Sequence, residues 1–199
     1  MKTFFAVLGG TTFALIFASA SASAEDCPTA VKGRGAFVVE RGEPSKTEVT
    51  FGDGAVVNAV FRFGGKTLLE TKQYEGLIQL ERFDKGRRTI FKPRSDLSKL
   101  FPLTPKQQIG VQLDVSEEGI EPSIVTVDLR MTGTDSLTIG ACKYDVLKFE
   151  RIEASQNKKS EPVTEYYAPE LKFVVAKEYR ERDGRTTLIK YDRIYRADR

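Results

Sequence analysis

The sequence predicts an all-β fold, an antiparallel meander with at most one short helix near residues 95–101, on three observations. Apolar and polar residues alternate with period two along most of the chain. Glycine-rich turn pairs punctuate it at short intervals. Long stretches of 3.6-residue periodicity are missing.

In chain order, strands are predicted over 35–41 and 46–51. Gly52-Asp53-Gly54 then turns the chain into 57–63, where Val57, Ala59, Phe61 and Phe63 alternate with Asn58 and Arg62. Gly64-Gly65 leads to 67–74, Glu75-Gly76 to 77–84, and Lys85-Gly86 to 87–92. The segment 95–105 departs from the pattern: Ser95 can cap one helical turn that Pro102 stops, freeing Leu97, Leu100, Phe101 and Leu103 to plug one end of a sheet or barrel. Strand 109–115 sets Ile109, Val111, Leu113 and Val115 against Gln112 and Asp114. In 123–131, Val125, Val127, Leu129 and Met131 point one way and Thr126, Asp128 and Arg130 the other, as in a sheet with one buried and one wet face. Strands over 134–139, 143–152, 163–168, 172–182 and 186–195 complete the set, with 154–161 read as a surface loop and Asp183-Gly184 as the last turn. The total is about a dozen short strands.

The first 24 residues have the three parts of a secretory signal: Lys2, an apolar run over 4–17, and a small-residue tract ending at Ala24, after which cleavage is expected. A membrane anchor is the alternative, but the run is shorter than the roughly 20 residues a spanning helix needs. A lipid anchor would need its cysteine at the cleavage site, whereas Cys27 follows Glu25 and Asp26. The expected location is the periplasm of a Gram-negative bacterium. Removing 24 residues from 199 leaves 175, the size of a single domain over 25–199. The signal carries one Lys and no acid, so the formal charge falls from +3 to +2, and no other apolar run approaches membrane length. That balance, with export, gives no case for nucleic acid.

Cys27 and Cys142 are the only cysteines, and in an oxidising compartment they are expected to form a disulfide. The alternatives, a redox pair or a metal site, find no C-x-x-C and no histidine. The bond would close a loop of more than a hundred residues and tie down the N-terminus, which the chain-entropy argument values at about 4–5 kcal/mol.

Three segments carry a resemblance. The first is Leu100-Phe101-Pro102-Leu103-Thr104-Pro105 leading into a strand. The second is 131–150, where a small Gly140-Ala141 turn precedes Tyr144. The third is 165–178, with an aromatic-x-Pro-x-Leu-x-hydrophobic run through Tyr167, Pro169, Leu171 and Phe173. Over 100–190 the chain resembles uncharacterised bacterial periplasmic β-proteins whose half-open barrels are similar to the lipoprotein-carrier fold. It has Lys106 where that group usually has glycine, and Cys142 in the turn. The resemblance implies a curved sheet, half-barrel or up-and-down barrel and carries no chemistry across.

The commonest general base is missing, because there is no histidine, and tryptophan is also absent. Neither G-x-S-x-G nor G-x-x-x-x-G-K-[ST] occurs. The 28 acids are scattered, and a carboxylate pair assembled by the fold stays open. No cofactor and no metal are expected. Lys85, Arg87, Arg88, Lys92 and Arg94 form a basic cluster that could meet anionic envelope phosphates. Nearby Glu81, Asp84 and Asp96 favour a solvated strand pair instead. Tyr166-Tyr167 reads as one ring in and one out rather than as a ligand-contacting pair.

The leading expectation is a non-enzymatic envelope protein that binds a lipid-like or other apolar ligand in its barrel or half-barrel. The lining residues would be Phe61, Phe63, Val127, Leu129, Phe149 and Val175, which are also ordinary core candidates. This requires a pocket of a few hundred Å³. The alternatives are an adaptor that binds envelope proteins through sheet edges at 35–41 or 186–195, and a hydrolase with two acids roughly 5–10 Å apart.

Overall fold

In a computed structural model, residues 27–30, 35–104, 107–156 and 158–197 are described. The segment 1–24 expected to be a signal, its expected cleavage site and Lys106 lie outside them. The strands are β1 (Phe37–Glu40), β2 (Ser45–Phe51), β3 (Val56–Phe63), β4 (Lys66–Tyr74), β5 (Ile78–Asp84), β6 (Arg87–Pro93) and β7 (Gln108–Glu117). They continue with β8 (Ile120–Ile139), β9 (Cys142–Ser155), β10 (Lys158–Lys159), β11 (Val163–Ala168), β12 (Phe173–Arg180), β13 (Thr186–Lys190) and β14 (Arg193–Arg196). All belong to one antiparallel sheet in the order β13-β12-β11-β9-β8-β7-β6-β5-β4-β3-β2-β1-β14, with β13 and β14 at its edges; β10 pairs only with β9. The predicted meander is therefore the observed one.

Four details differ from the sequence reading. The strands expected over 123–131 and 134–139 are the single strand β8. Thr132 is an extra residue there, because Met131 pairs with Phe149 while Gly133 pairs with Lys148. The loop expected over 154–161 holds the short hairpin of β9 and β10. The strand expected over 186–195 is broken at Tyr191-Asp192, with β13 on β12 and β14 on β1. The helical segment is a 3₁₀ turn over Leu97–Leu100 capped by Asp96, not Ser95, since the Asp96 carboxylate accepts from the Ser98 amide at 3.0 Å.

The broken strand carries the chain from one sheet edge to the other. The Asp192 amide donates to the Glu40 carbonyl at 2.8 Å, and the Asp192 carboxylate accepts from the Gly42 amide at 2.9 Å. Glu40 is only 6% exposed yet ionised, because Lys46 reaches it at 2.8 Å, Arg193 at 3.5 Å and the Tyr195 hydroxyl at 2.7 Å. No ladder joins the two edges directly among the described residues, so the sheet is an open, curved half-barrel strapped by its last strand.

Two apolar cores form. One gathers Phe37, Val39, Val49, Val57, Ile139, Cys142, Tyr144, Val146, Tyr166 and Val175. The other gathers Ile78, Leu97, Ile109, Val111, Leu113, Val127, Leu129, Phe149 and Tyr167, with Leu100, Phe101 and Leu103 packed on it as the expected plug. Each fully buried side chain of this size stabilises the fold by about 1.5–3 kcal/mol. The β8 bulge serves both cores: on β9 the buried residues change from Cys142, Tyr144 and Val146 to Phe149, so the inward side switches along one strand. Both rings of Tyr166-Tyr167 are buried, at 4% and 3% exposure, against the expected one in and one out. Adjacent residues do point oppositely, but here each side of the sheet meets a different core.

The disulfide joins Cys27 to Cys142 across 115 residues, with Cα atoms 5.6 Å apart. The tethered N-terminal segment is held further where the Tyr144 hydroxyl donates to the Pro28 carbonyl at 3.2 Å. The turn between β4 and β5 docks on the turn between β11 and β12, whose Glu170 carbonyl also accepts from the Ala30 amide of the tethered segment. The Tyr167 hydroxyl donates to the Glu75 carbonyl at 2.8 Å, and Lys172 pairs with the Glu75 carboxylate at 3.0 Å. Gly76, at φ +70°, is required: a Cβ there would lie 1.8 Å from the Lys172 carbonyl oxygen.

Candidate ligand-binding lumen

Curling the sheet sets the inner side of β2 to β5 against β9, β11 and β12. The space between them is not packed solid. A half-open cavity of about 320 Å³ is lined by Thr47, Ala59, Phe61, Leu69, Thr71, Gln73, Leu77 and Gln79 from one wall. Arg151, Glu153, Glu165, Phe173, Val174, Lys177 and Tyr191 line it from the other. A second cavity of about 210 Å³ shares Phe61, Val174, Lys177 and Tyr191 with it and extends past Arg41, Ser45, Tyr179 and Ile189. Tyr179 and Ile189 are 38% and 37% exposed, so that end reaches the surface.

Strand register assembles the charged floor. Glu165 stands opposite Phe149 on β9 and opposite Lys177 on β12. Cross-strand opposition makes Lys177–Glu165 a direct ion pair, with Nζ to Oε1 at 2.7 Å. Arg151 pairs with Glu153 at 2.7 Å and donates from Nη1 to the Leu77 carbonyl at 2.9 Å, linking the two walls. Glu165 is 2% exposed. Its Oε2 lies 3.6 Å from Arg151 Nη1, beyond hydrogen-bond length, and has no hydrogen-bond partner among the described residues. Gln79 Nε2 is likewise buried without a partner among them. Burial holds the Tyr191 phenol above its ordinary range, opposed by the neighbouring Thr47 hydroxyl.

The six residues expected to line a ligand site separate. Phe61 lines both cavities. Phe63, two residues along β3, is 52% exposed at the strand end. Val127, Leu129 and Phe149 are packed in the second core and Val175 in the first, each at most 2% exposed. Sequence reasoning missed Arg151, Glu165, Lys177 and Gln79. The one signal for Glu165 was an acid in the otherwise apolar run Tyr166-Tyr167-Ala168, which alternation alone assigns to either side.

The basic cluster is largely neutralised. Arg87 pairs with Glu117 at 3.2 Å, Arg88 with Glu81 at 2.8 Å, and Arg94 makes two bonds to one Asp114 oxygen at 2.8 and 2.6 Å. Hydrogen bonding from Arg88, ahead of Lys72, holds the Glu81 carboxyl below its ordinary range. Lys92 stands in register with Asp114, and Lys85 occupies a tight turn at φ +51°. Among the described residues, no group of three or more His, Cys, Asp or Glu side chains is arranged to hold a metal ion, and no helix is long and apolar enough to cross a membrane.

No protein-family model matches the chain, and no curated protein matches it. Among solved structures, it is similar to the hypothetical lipoprotein YmcC from Escherichia coli K12, with a TM-score of 0.49 and 8% identity over 79% of this chain and 83% of that one. It is also similar to a protein from Bacteroides fragilis described as having a YmcC-like fold, with a TM-score of 0.42 and 15% identity over 85% of this chain and 92% of that one.

Proposed function

We propose that the protein is a non-enzymatic periplasmic protein that holds a lipid-like ligand in the lumen of its half-barrel. One observation supports this reading above others: the lumen is a half-open cavity of about 320 Å³, of the size small-molecule sites take, although two complete apolar cores lie beside it. Phe61, Leu69, Leu77, Phe173 and Val174 supply apolar wall for an acyl chain, and the polar floor gives it an orientation. No residue is assigned a catalytic step, since the lumen carboxylates Glu153 and Glu165 are both engaged by Arg151 or Lys177.

The test is native mass spectrometry of mature protein purified from the periplasm, before and after solvent extraction. A reproducible adduct of lipid mass that extraction removes is the expected result. A bare mass in both spectra rejects it.

A second reading, an adaptor that pairs with envelope proteins through a sheet edge, is favoured by β13. All five of its residues are exposed, it pairs only with β12, and Leu188 and Ile189 are 44% and 37% exposed. Crosslinking in intact envelopes from a residue placed in β13 tests it, and an absence of specific products counts against it.

A further inference from the structure

We infer that the lumen recognises an uncharged, hydroxyl-bearing group on its ligand, held between Glu165 and Gln79. The inference rests on the lumen reading above and adds the chemistry of the bound head. Glu165 spends one carboxylate oxygen on Lys177 at 2.7 Å. Its other oxygen is buried and accepts no hydrogen bond from any described residue; Arg151, whose Nη1 donates to the Leu77 carbonyl, stays 3.6 Å from it. Gln79 brings the complement to the same cavity: a buried amide nitrogen with no acceptor among the described residues. Leaving such groups unpaired is unfavourable, so a ligand that satisfies both gains what an apolar one forgoes.

The two orphans define the group. A hydrocarbon satisfies neither of them. An anionic head accepts from Gln79 but sets its charge against the Glu165 carboxylate, in a lining whose two cations are already balanced by two acids. A cationic head suits Glu165, yet it offers nothing to Gln79 and meets Arg151 and Lys177. A neutral hydroxyl both donates and accepts, the two roles that Glu165 Oε2 and Gln79 Nε2 leave open in one cavity. Phe61 and Tyr191, in the same lining, provide flat apolar surface beside it for a ring or chain. A hydroxylated lipid head and a free sugar share this chemistry.

Thermal-shift titration of the extracted, disulfide-intact protein with three probes separates the sources: a decanoyl monoglyceride, methyl decanoate with the same chain and no hydroxyl, and free glucose. Each is repeated on Gln79→Leu, which removes the orphan donor and leaves the Glu165 ion pair in place. The expected result is that the monoglyceride binds about tenfold more tightly than the ester and that the variant abolishes this preference. The ligand-free melting temperature of the variant should stay unchanged or rise, because a buried unpaired donor has gone. A shift with glucose alone that is lost in Gln79→Leu supports the same recognition with a free sugar as its source. Equal binding of ester and monoglyceride, unchanged in the variant, overturns the inference and leaves the lipid-lumen reading standing. Binding of none of the three, together with a bare native mass, overturns both.

Discussion

The two halves of the β8–β9 pair obey the same alternation and do opposite things with it. From Ile139 and Cys142 to Val146 the pair buries apolar side chains and a disulfide against β1 to β3. Beyond the bulge at Thr132, the inward side of β9 runs from fully buried Phe149 to Arg151 and Glu153, which face a cavity. Period two settles which side a residue is on, while what stands across from that side settles whether it becomes core or lumen. The packed half supplies rigidity, and the lumen half carries buried charge at the expense of stability.

The largest expected effect that sharpens this contrast is truncation on either side of it. Phe149→Ala empties a fully buried site and should cost about 3–5 kcal/mol, whereas Phe61→Ala, on the cavity wall, should cost about 1 kcal/mol. Chemical denaturation of the two variants measures both, and equal losses would erase the distinction between core and lumen. Next comes the clasp of the packed half: the double change Cys27→Ser, Cys142→Ser should lower stability by about 2–5 kcal/mol with the β-sheet circular dichroism retained. Free thiols titrating in protein purified without reductant would remove that element.

On the lumen side, Gly76→Ala places a methyl group against the Lys172 carbonyl in a left-handed turn and should cost at least about 2 kcal/mol, read as a lower melting temperature. A neutral outcome would mean that the two turns do not dock. The smallest effect concerns the strap between the sheet edges. The Glu40 carboxyl is held below its ordinary value of 4.5, first by the hydrogen bond from Lys46 and then, against desolvation, by Tyr195. A carboxyl lowered on folding contributes stability above its unfolded value and loses it as the pH falls through its folded value. The melting-temperature difference between wild type and Glu40→Gln should therefore be constant above pH 4.5 and shrink below it. A difference that persists into stronger acid would place the effect of Glu40 in packing, not charge.

Much of the scaffold was legible because each strand and turn is a local decision. Val57-Asn58-Ala59-Val60-Phe61 reads as a half-buried strand on its own, and Glu75-Gly76 reads as a turn without knowing its neighbours. The Ser95 cap failed narrowly, because Asp96, one residue on, accepts the same kind of hydrogen bond. The candidate site was legible only at Phe61. Val127, Leu129 and Phe149 are buried in one core and Val175 in the other, where other strands cover them completely.

The sequence by itself determined the strand meander, its glycine turns, the helical turn near 95–101 and the cysteine pair available for a disulfide, since these follow from residue-by-residue backbone preference, alternation and composition. Only the tertiary structure decided that Thr132 would bulge, that 186–195 would break between two sheet edges, and that Gln79, Arg151, Glu165 and Lys177 would share one cavity. The reason is physical. Those outcomes depend on how a twisted sheet curls until residues from distant strands face one another, and no single strand carries that distance in its own pattern.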